Sequence, residues 1–389
     1  MNNSIRDIVF SGIVTVRDRL LQLPDPLRLE SGEPSFDTPT HIKEAMIKAL
    51  GDNQTHYAPS TGIKPLREAC LKKLIDKNGH AHLNDPSQVV ITNGGMHALY
   101  VTFQTILNDG DEVIVPRPNW TATGWIIRMS GGKLINVPLQ AELGYRWNIE
   151  QIKAAITPRT KAILVNSPHN PTGGVFQRED YRAILKLAEQ HQLYVVSDEA
   201  YEDIVYDTEH ISLGSVASEF SPETRDRIIS CFTFSKSYAM TGWRLGYVAC
   251  SSAQFAEQVK KMILYTINGV STATQYGGIA ALEGPQDCVR EMVTAYRERR
   301  DILFDGVNQT EFLECTTPPG GAFYLYAKIK PNWEKSAWDL VNHLIDTYAL
   351  GSVPGEVFSD NQPSIRFSYA CSTAMVRRAI EKLTSPVPA

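Results

Sequence analysis

The chain has 389 residues, 43% hydrophobic and 21% charged, a globular composition that excludes a disordered or fibrous protein. At roughly 150 residues per domain, the length implies two or three domains. Lys plus Arg total 38 against 43 Asp plus Glu, and the net charge of −5 speaks against a nucleic-acid partner.

Met1 to Asp7 contain no apolar h-region, so no secretory leader is expected. Residues 1–40 show no strand alternation and are expected to pack with a C-terminal unit. Short β-branched runs at 87–91, 112–115, 133–137, 161–165, 193–197, 228–232 and 247–250 each read as a strand. Between them, 178–192 has helical spacing, with Tyr181, Ile184, Leu185 and Ala188 on one face. Near-continuous apolar strands alternating with helices predict an α/β domain over 41–284. Its core is a mostly parallel seven-stranded sheet covered by helices. Two uncharged stretches, 89–108 and 262–282, approach membrane-spanning length, but polar breaks make them buried globular segments. Beyond 285 the pattern changes to helix 286–306, strand 320–329, helix 336–348 and strand 365–369, a smaller α+β domain over 285–389.

Six scattered cysteines form no Cys-x-x-Cys pair, which excludes a zinc ribbon and suits a reducing, cytoplasmic setting. His80 and His82 sit in a polar stretch that reads as a solvated loop. The remaining histidines lack metal-ligand spacing, so no metal is assigned.

Five stretches could carry chemistry. Thr92-Asn93-Gly94-Gly95-Met96-His97 follows a strand and opens a helix, where backbone amides can hold a phosphate; a plain turn reads equally well. It is not Gly-x-Gly-x-x-Gly, and Gly132-Lys133 is not a Walker loop. Asn170-Pro171-Thr172-Gly173 is turn chemistry in itself. Asp198, at a strand end, is either a cap or a partner for a ligand cation. Lys236 lies among Thr233, Phe234, Ser235, Ser237 and Tyr238, with Arg244 eight residues on; a lysine in such a desolvated pocket can lose its proton and form a Schiff base. Arg366, in an alternating strand, is either a solvated charge or a clamp for a carboxylate.

In order and spacing these stretches resemble the class I/II, fold-type I, pyridoxal-phosphate aminotransferases, and aspartate aminotransferase in particular. The resemblance runs through Ser31-Gly32-Glu33-Pro34, Tyr57 to Gly62 and Leu66-Arg67, Gly94-Gly95, Pro116-x-Pro118-x-Trp120, Asn170-Pro-Thr-Gly, Asp198-x-x-Tyr201, Lys236, Arg244 and Arg366. Thr233 departs from the family's usual Ser or Gly but keeps a hydroxyl.

The resemblance implies a homodimeric transaminase that exchanges an amino group between an L-amino acid and a 2-oxo acid, with pyridoxal 5′-phosphate bound to Lys236. Lys236, Asp198 and Tyr201 are the implied catalytic group. Asp198 would pair with the ring nitrogen, Asn170 and Tyr201 with the ring oxygen, and Trp120 would stack on the ring. Arg244, Thr233, Ser235 and the amides of Gly95 and Met96 would hold the phosphate, joined by Tyr57 from the neighbouring subunit. Arg366 would take the substrate α-carboxylate, with Gly32, Trp120 and Asn170 nearby. The strand with Gly321-Ala322-Phe323-Tyr324 reads as structural. The same motifs would also serve a β-lyase or decarboxylase. A non-catalytic regulator of this fold usually carries an added DNA-binding domain, for which 1–40 leaves no room. In one aspartate/prephenate branch of the family a lysine follows the paired glycines and meets the substrate's distal carboxylate. Here Met96 stands there, so the expected donor has an uncharged side chain.

Overall fold

The computed structural model describes residues 8–385; the segment read for a leader, Met1 to Asp7, lies outside them. Eight strands build the larger sheet among the described residues: β1 (Val89–Thr92), β2 (Glu112–Arg117), β3 (Lys133–Gln140), β4 (Arg146–Trp147), β5 (Thr160–Asn166), β6 (Tyr194–Asp198), β7 (Ile228–Thr233) and β8 (Gly246–Cys250). Their order is β1-β8-β7-β6-β5-β2-β3-β4. The run β3-β2-β5-β6-β7 is parallel, whereas β8 is antiparallel to both neighbours. All seven expected strands are present. The eighth, β4, is a two-residue hairpin partner of β3, too short to leave an alternation in the sequence.

Period-two alternation explains why the sheet is covered on both faces. Val113, Val115, Leu164 and Val196 join a core with the helix Gly95–Ile106. Ile114, Ile163 and Val195 point the other way, onto the helix Arg178–His191. That helix buries Tyr181, Ile184, Leu185 and Ala188, the face its spacing predicts. Full burial of each such aliphatic side chain contributes roughly 1.5–3 kcal/mol.

A second, antiparallel sheet has the order β11-β12-β10-β9, with β9 (Leu313–Glu314), β10 (Tyr324–Ile329), β11 (Val353–Pro354) and β12 (Ser364–Ser368). β10 starts four residues later than the sequence suggests, because Ala322 takes a left-handed φ of 55° that no strand accommodates. The helices Asp287–Asn308, Ala337–Tyr348 and Thr373–Thr384 pack on this sheet. The N-terminal helix Gly12–Leu20 adds Val16 and Leu20 to the same core. The following segment runs along the small sheet: Leu27 bridges Leu350, and the Ser368 amide donates to the Leu29 carbonyl at 2.6 Å.

His80 corrects an expectation. It is buried rather than solvated, with Nε2 2.7 Å from Ser212 Oγ and its ring stacked on His82. Burial pushes His80 down to about 3 and His82 to about 4, so both are neutral imidazoles at physiological pH. Among the described residues no cluster of His, Cys, Asp or Glu has the geometry of a metal site, and no helix is long and apolar enough to cross a membrane.

Candidate active site

A cavity of ≈ 410 Å³ opens beyond the C-terminal ends of β5, β6 and β7, where parallel sheets bind ligands. Gly32, Gly95, Met96, Trp120, Asn170, Asp198, Tyr201, Thr233, Ser235, Lys236, Arg244 and Arg366 all line it. Chain positions more than 300 residues apart therefore meet in one pocket.

Lys236 lies in the turn after β7. Thr233 Oγ1 accepts from the Ser235 amide at 3.2 Å, which tightens that turn and aims Lys236 inward. Lys236 Nζ donates to the Gly32 carbonyl at 2.7 Å, beside the rings of Tyr201 and Phe323. Burial, reinforced by Arg366 and Arg244, pulls its ammonium down to about 8, against the opposing pull of Glu33 and Asp198. A lysine in this range gives up its proton readily, as a nucleophile and proton carrier must.

Asp198 ends β6, and its Oδ1 accepts from the Ala200 amide at 3.2 Å, so it does cap the following turn. It also faces the cavity. Burial, with Glu199 adding to it, pushes its carboxyl up to about 7, while the Ala200 bond and Lys236 pull the other way. A cation placed against Asp198 would reverse that cost. Asn166 crosslinks the two strand ends: its Oδ1 accepts from the Asn170 amide at 3.0 Å, and its Nδ2 donates to the Asp198 carbonyl at 3.0 Å.

Arg366, on β12, is fully buried. Nη1 donates to Asn170 Oδ1 at 3.0 Å and Nη2 to the Glu30 carbonyl at 2.7 Å. Its guanidinium lies over the rings of Tyr324 and Phe358, and Nε has no hydrogen-bond partner. A buried arginine with spare donors at a cavity wall is poised for an incoming carboxylate.

At the opposite wall, Gly94 turns with φ 83° into the helix Gly95–Ile106. A Cβ on Gly94 would sit 2.7 Å from Arg244 Nη2, and one on Gly95 would sit 3.2 Å from Thr233 Cβ. The two glycines thus keep open a cradle of helix N-terminal amides, two hydroxyls and a guanidinium, a donor set suited to a phosphate dianion. Thr233 and Ser235 also bond each other at 3.0 Å. Trp120 caps the helix Thr121–Met129 and packs partly on the core, so it lines the cavity and serves the fold together.

Tyr57 is not brought into this cavity; it is 91% exposed, beside a separate surface groove. Conversely, the pocket contains residues the sequence left aside. Tyr324 OH lies 2.9 Å from Tyr201 OH, so the strand read as structural supplies a site residue. Ile13 and Leu99 add apolar wall. Ile13 sits at the start of a helix with no motif, and no local signal could have found it.

The family model for aminotransferase class I and II matches residues 24–383. A probable aspartate/prephenate aminotransferase of Aquifex aeolicus is 38% identical over 92% of this chain and 90% of its own length. The structure of the aspartate aminotransferase from Thermus thermophilus with maleate superposes with a TM-score of 0.91 at 35% identity, covering 99% of this chain and 98% of that one. The aromatic aminotransferase from Pyrococcus horikoshii superposes with a TM-score of 0.87 at 33% identity, covering 95% and 97%.

Proposed function

From the premise that this chain belongs to the class I and II aminotransferases and is an aminotransferase, we propose that it works with pyridoxal 5′-phosphate attached to Lys236, as a homodimer. The observation that carries this reading is Lys236 Nζ itself: a desolvated amine in the cavity, with Asp198, Asn170 and Arg366 around the same space and an anion cradle at one wall.

The residues present fit the cofactor. The glycine cradle that a Cβ would fill matches its phosphate, and the Asp198 carboxylate matches its ring cation. When bound, the cofactor supplies a carbonyl that condenses with amines and a ring that accepts an electron pair. Asp198 would hold the ring-nitrogen proton. Tyr201 and Asn170 would donate toward the ring oxygen, with Tyr324 orienting the Tyr201 hydroxyl. Trp120 would cover the ring face. Arg366 would bind the α-carboxylate of an L-amino acid or a 2-oxo acid, and Lys236 Nζ would move a proton at the substrate Cα.

Tyr57, exposed in its own chain, would reach the phosphate of a second copy. Within the described residues, 8–40 and 285–385 would form the smaller unit and 41–284 the larger, a division the Leu27–Leu350 bridge supports. A cytoplasmic setting suits six cysteines that are all free.

For the donor, Met96 lines the cavity with Ile13 and Leu99 and offers no charge. We propose a preference for uncharged, apolar or aromatic side chains, because a second carboxylate there would be left unpaired. The test of the overall function is a single half-reaction. Enzyme loaded with the cofactor and given an amino acid alone should release one equivalent of its 2-oxo acid per subunit. Lys236→Ala should lower turnover by about 10⁴-fold or more; near-normal turnover in that variant would refute the assignment.

A further inference from the structure

Directly behind Asp198 lies a buried glutamate–histidine contact that the reaction does not use. Glu199 follows Asp198 in the chain and, unlike it, does not line the cavity. It is almost fully buried, and its Oε2 lies 2.9 Å from His210 Nε2. Glu199 Oε1 and His210 Nδ1 have no hydrogen-bond partner within the distance of a normal bond, and the Ser212 hydroxyl is the other side-chain group beside Glu199. The titratable groups facing the pair are Asp198 on β6, Cys231 on β7, Tyr247 on β8, Tyr181 on the helix Arg178–His191, and His80, with His82 and Lys73 beyond it.

We propose that His210 is a positioning residue for the active site: by sharing a proton with Glu199 it cancels the charge of a second carboxylate behind Asp198 and so sets the electrostatic potential around Lys236. The proposal rests on the reading that Asp198 faces the cofactor ring. A Glu–His pair holding one proton is neutral whichever atom carries it. A lone Glu199 would add a negative charge at Asp198's back, in surroundings too poor in water to screen it. The directions agree: Glu199 raises Asp198, and His210 lowers Glu199 against the effect of burial. His80 cannot substitute for His210, since burial keeps it neutral and its Nε2 is committed to Ser212.

The experiment titrates the visible absorbance of the enzyme loaded with pyridoxal 5′-phosphate, with no substrate present. His210→Asn breaks the pair and leaves a carboxylate, so the absorbance midpoint should rise by about half to one pH unit. Glu199→Gln breaks the same contact but removes the charge, so the midpoint should stay or fall. The double variant should return to the wild-type midpoint. A purely structural role would move both single variants the same way, because both lose one bond. Shifts in the same direction, or no shift in His210→Asn, would overturn the proposal. If His210→Asn does not fold, His210→Gln carries the same expectation. Asp198→Asn separates the underlying reading. Unchanged cofactor retention there would overturn the role of Asp198 and this proposal together. Lost retention there, with same-direction shifts in the pair variants, would overturn this proposal alone.

Discussion

Arg366 Nη1 donates to Asn170 Oδ1 at 3.0 Å, and this one bond joins the small sheet to the turn after β5 of the large one. The guanidinium proposed to take a substrate carboxylate is thereby held on Asn170, which lines the same cavity.

Arg366→Gln should therefore act chiefly on substrate binding. Two charge-assisted hydrogen bonds are each worth about 1.5–3 kcal/mol, so kcat/KM for any amino acid should fall about 10²- to 10⁴-fold. Cofactor retention should barely change. Stopped-flow half-reactions across a range of donor concentrations would measure this, and a drop in cofactor affinity equal to that in kcat/KM would contradict it.

Tyr57 offers a test of shared sites. Tyr57→Phe alone should weaken cofactor binding by about 10- to 100-fold, the loss of one bond to a charged group. Mixing Tyr57→Phe with Lys236→Ala subunits puts both defects in one site of each heterodimer and neither in the other. At cofactor concentrations too low to fill the Tyr57→Phe parent, activity should then exceed that of either parent. A monomer of full activity in sedimentation would rule the arrangement out.

Met96, 48% exposed at the cavity wall, governs the donor prediction. Phenylalanine, leucine and methionine should show higher kcat/KM than aspartate. Met96→Lys should shift the ratio toward aspartate by about two- to fivefold, the value of one largely exposed charge pair. A wild-type preference for aspartate would send the search to another cation.

The pH dependence of the cofactor-free enzyme follows from two shifts. Asp198 keeps its proton up to about 7 when folded and loses it near the ordinary 3.8 when unfolded. Its contribution is present below 3.8 and disappears as pH rises toward 7. Lys236 loses its proton at about 8 folded and at 10.5 unfolded, so its contribution grows from 8 to 10.5. Asp198→Asn should remove the falling limb and Lys236→Met the rising one. Denaturant midpoints between pH 4 and 10 would check both limbs.

Much of this was legible because parallel-sheet strands carry long apolar runs, and punctuation at their C-terminal ends marks where ligands bind. Asp198, Asn170 and Lys236 each stand just beyond such a run. β4 was hidden by its two-residue length, and β10 was misplaced by a backbone conformation at Ala322. Burial of His80 depends on the segment around Ser212 and Gly214, with Ser212 132 positions away, and its local polar neighbours carry no sign of it. Ile13 and Tyr324 enter the pocket through tertiary packing alone.

The threading of the N-terminal segment also bears on biosynthesis. Arg366 Nη2 grips the Glu30 carbonyl across 336 positions, and Ser368 pairs with Leu29. Lys236 reaches Gly32 in the same segment. On the ribosome, the large sheet can close once β8 has emerged, but the stretch around Gly32 has no partner strand until β12 is made. Contacts of such separation form late. A nascent chain therefore carries Lys236 before Arg366 has been made, and the cavity is completed only as the last strand docks.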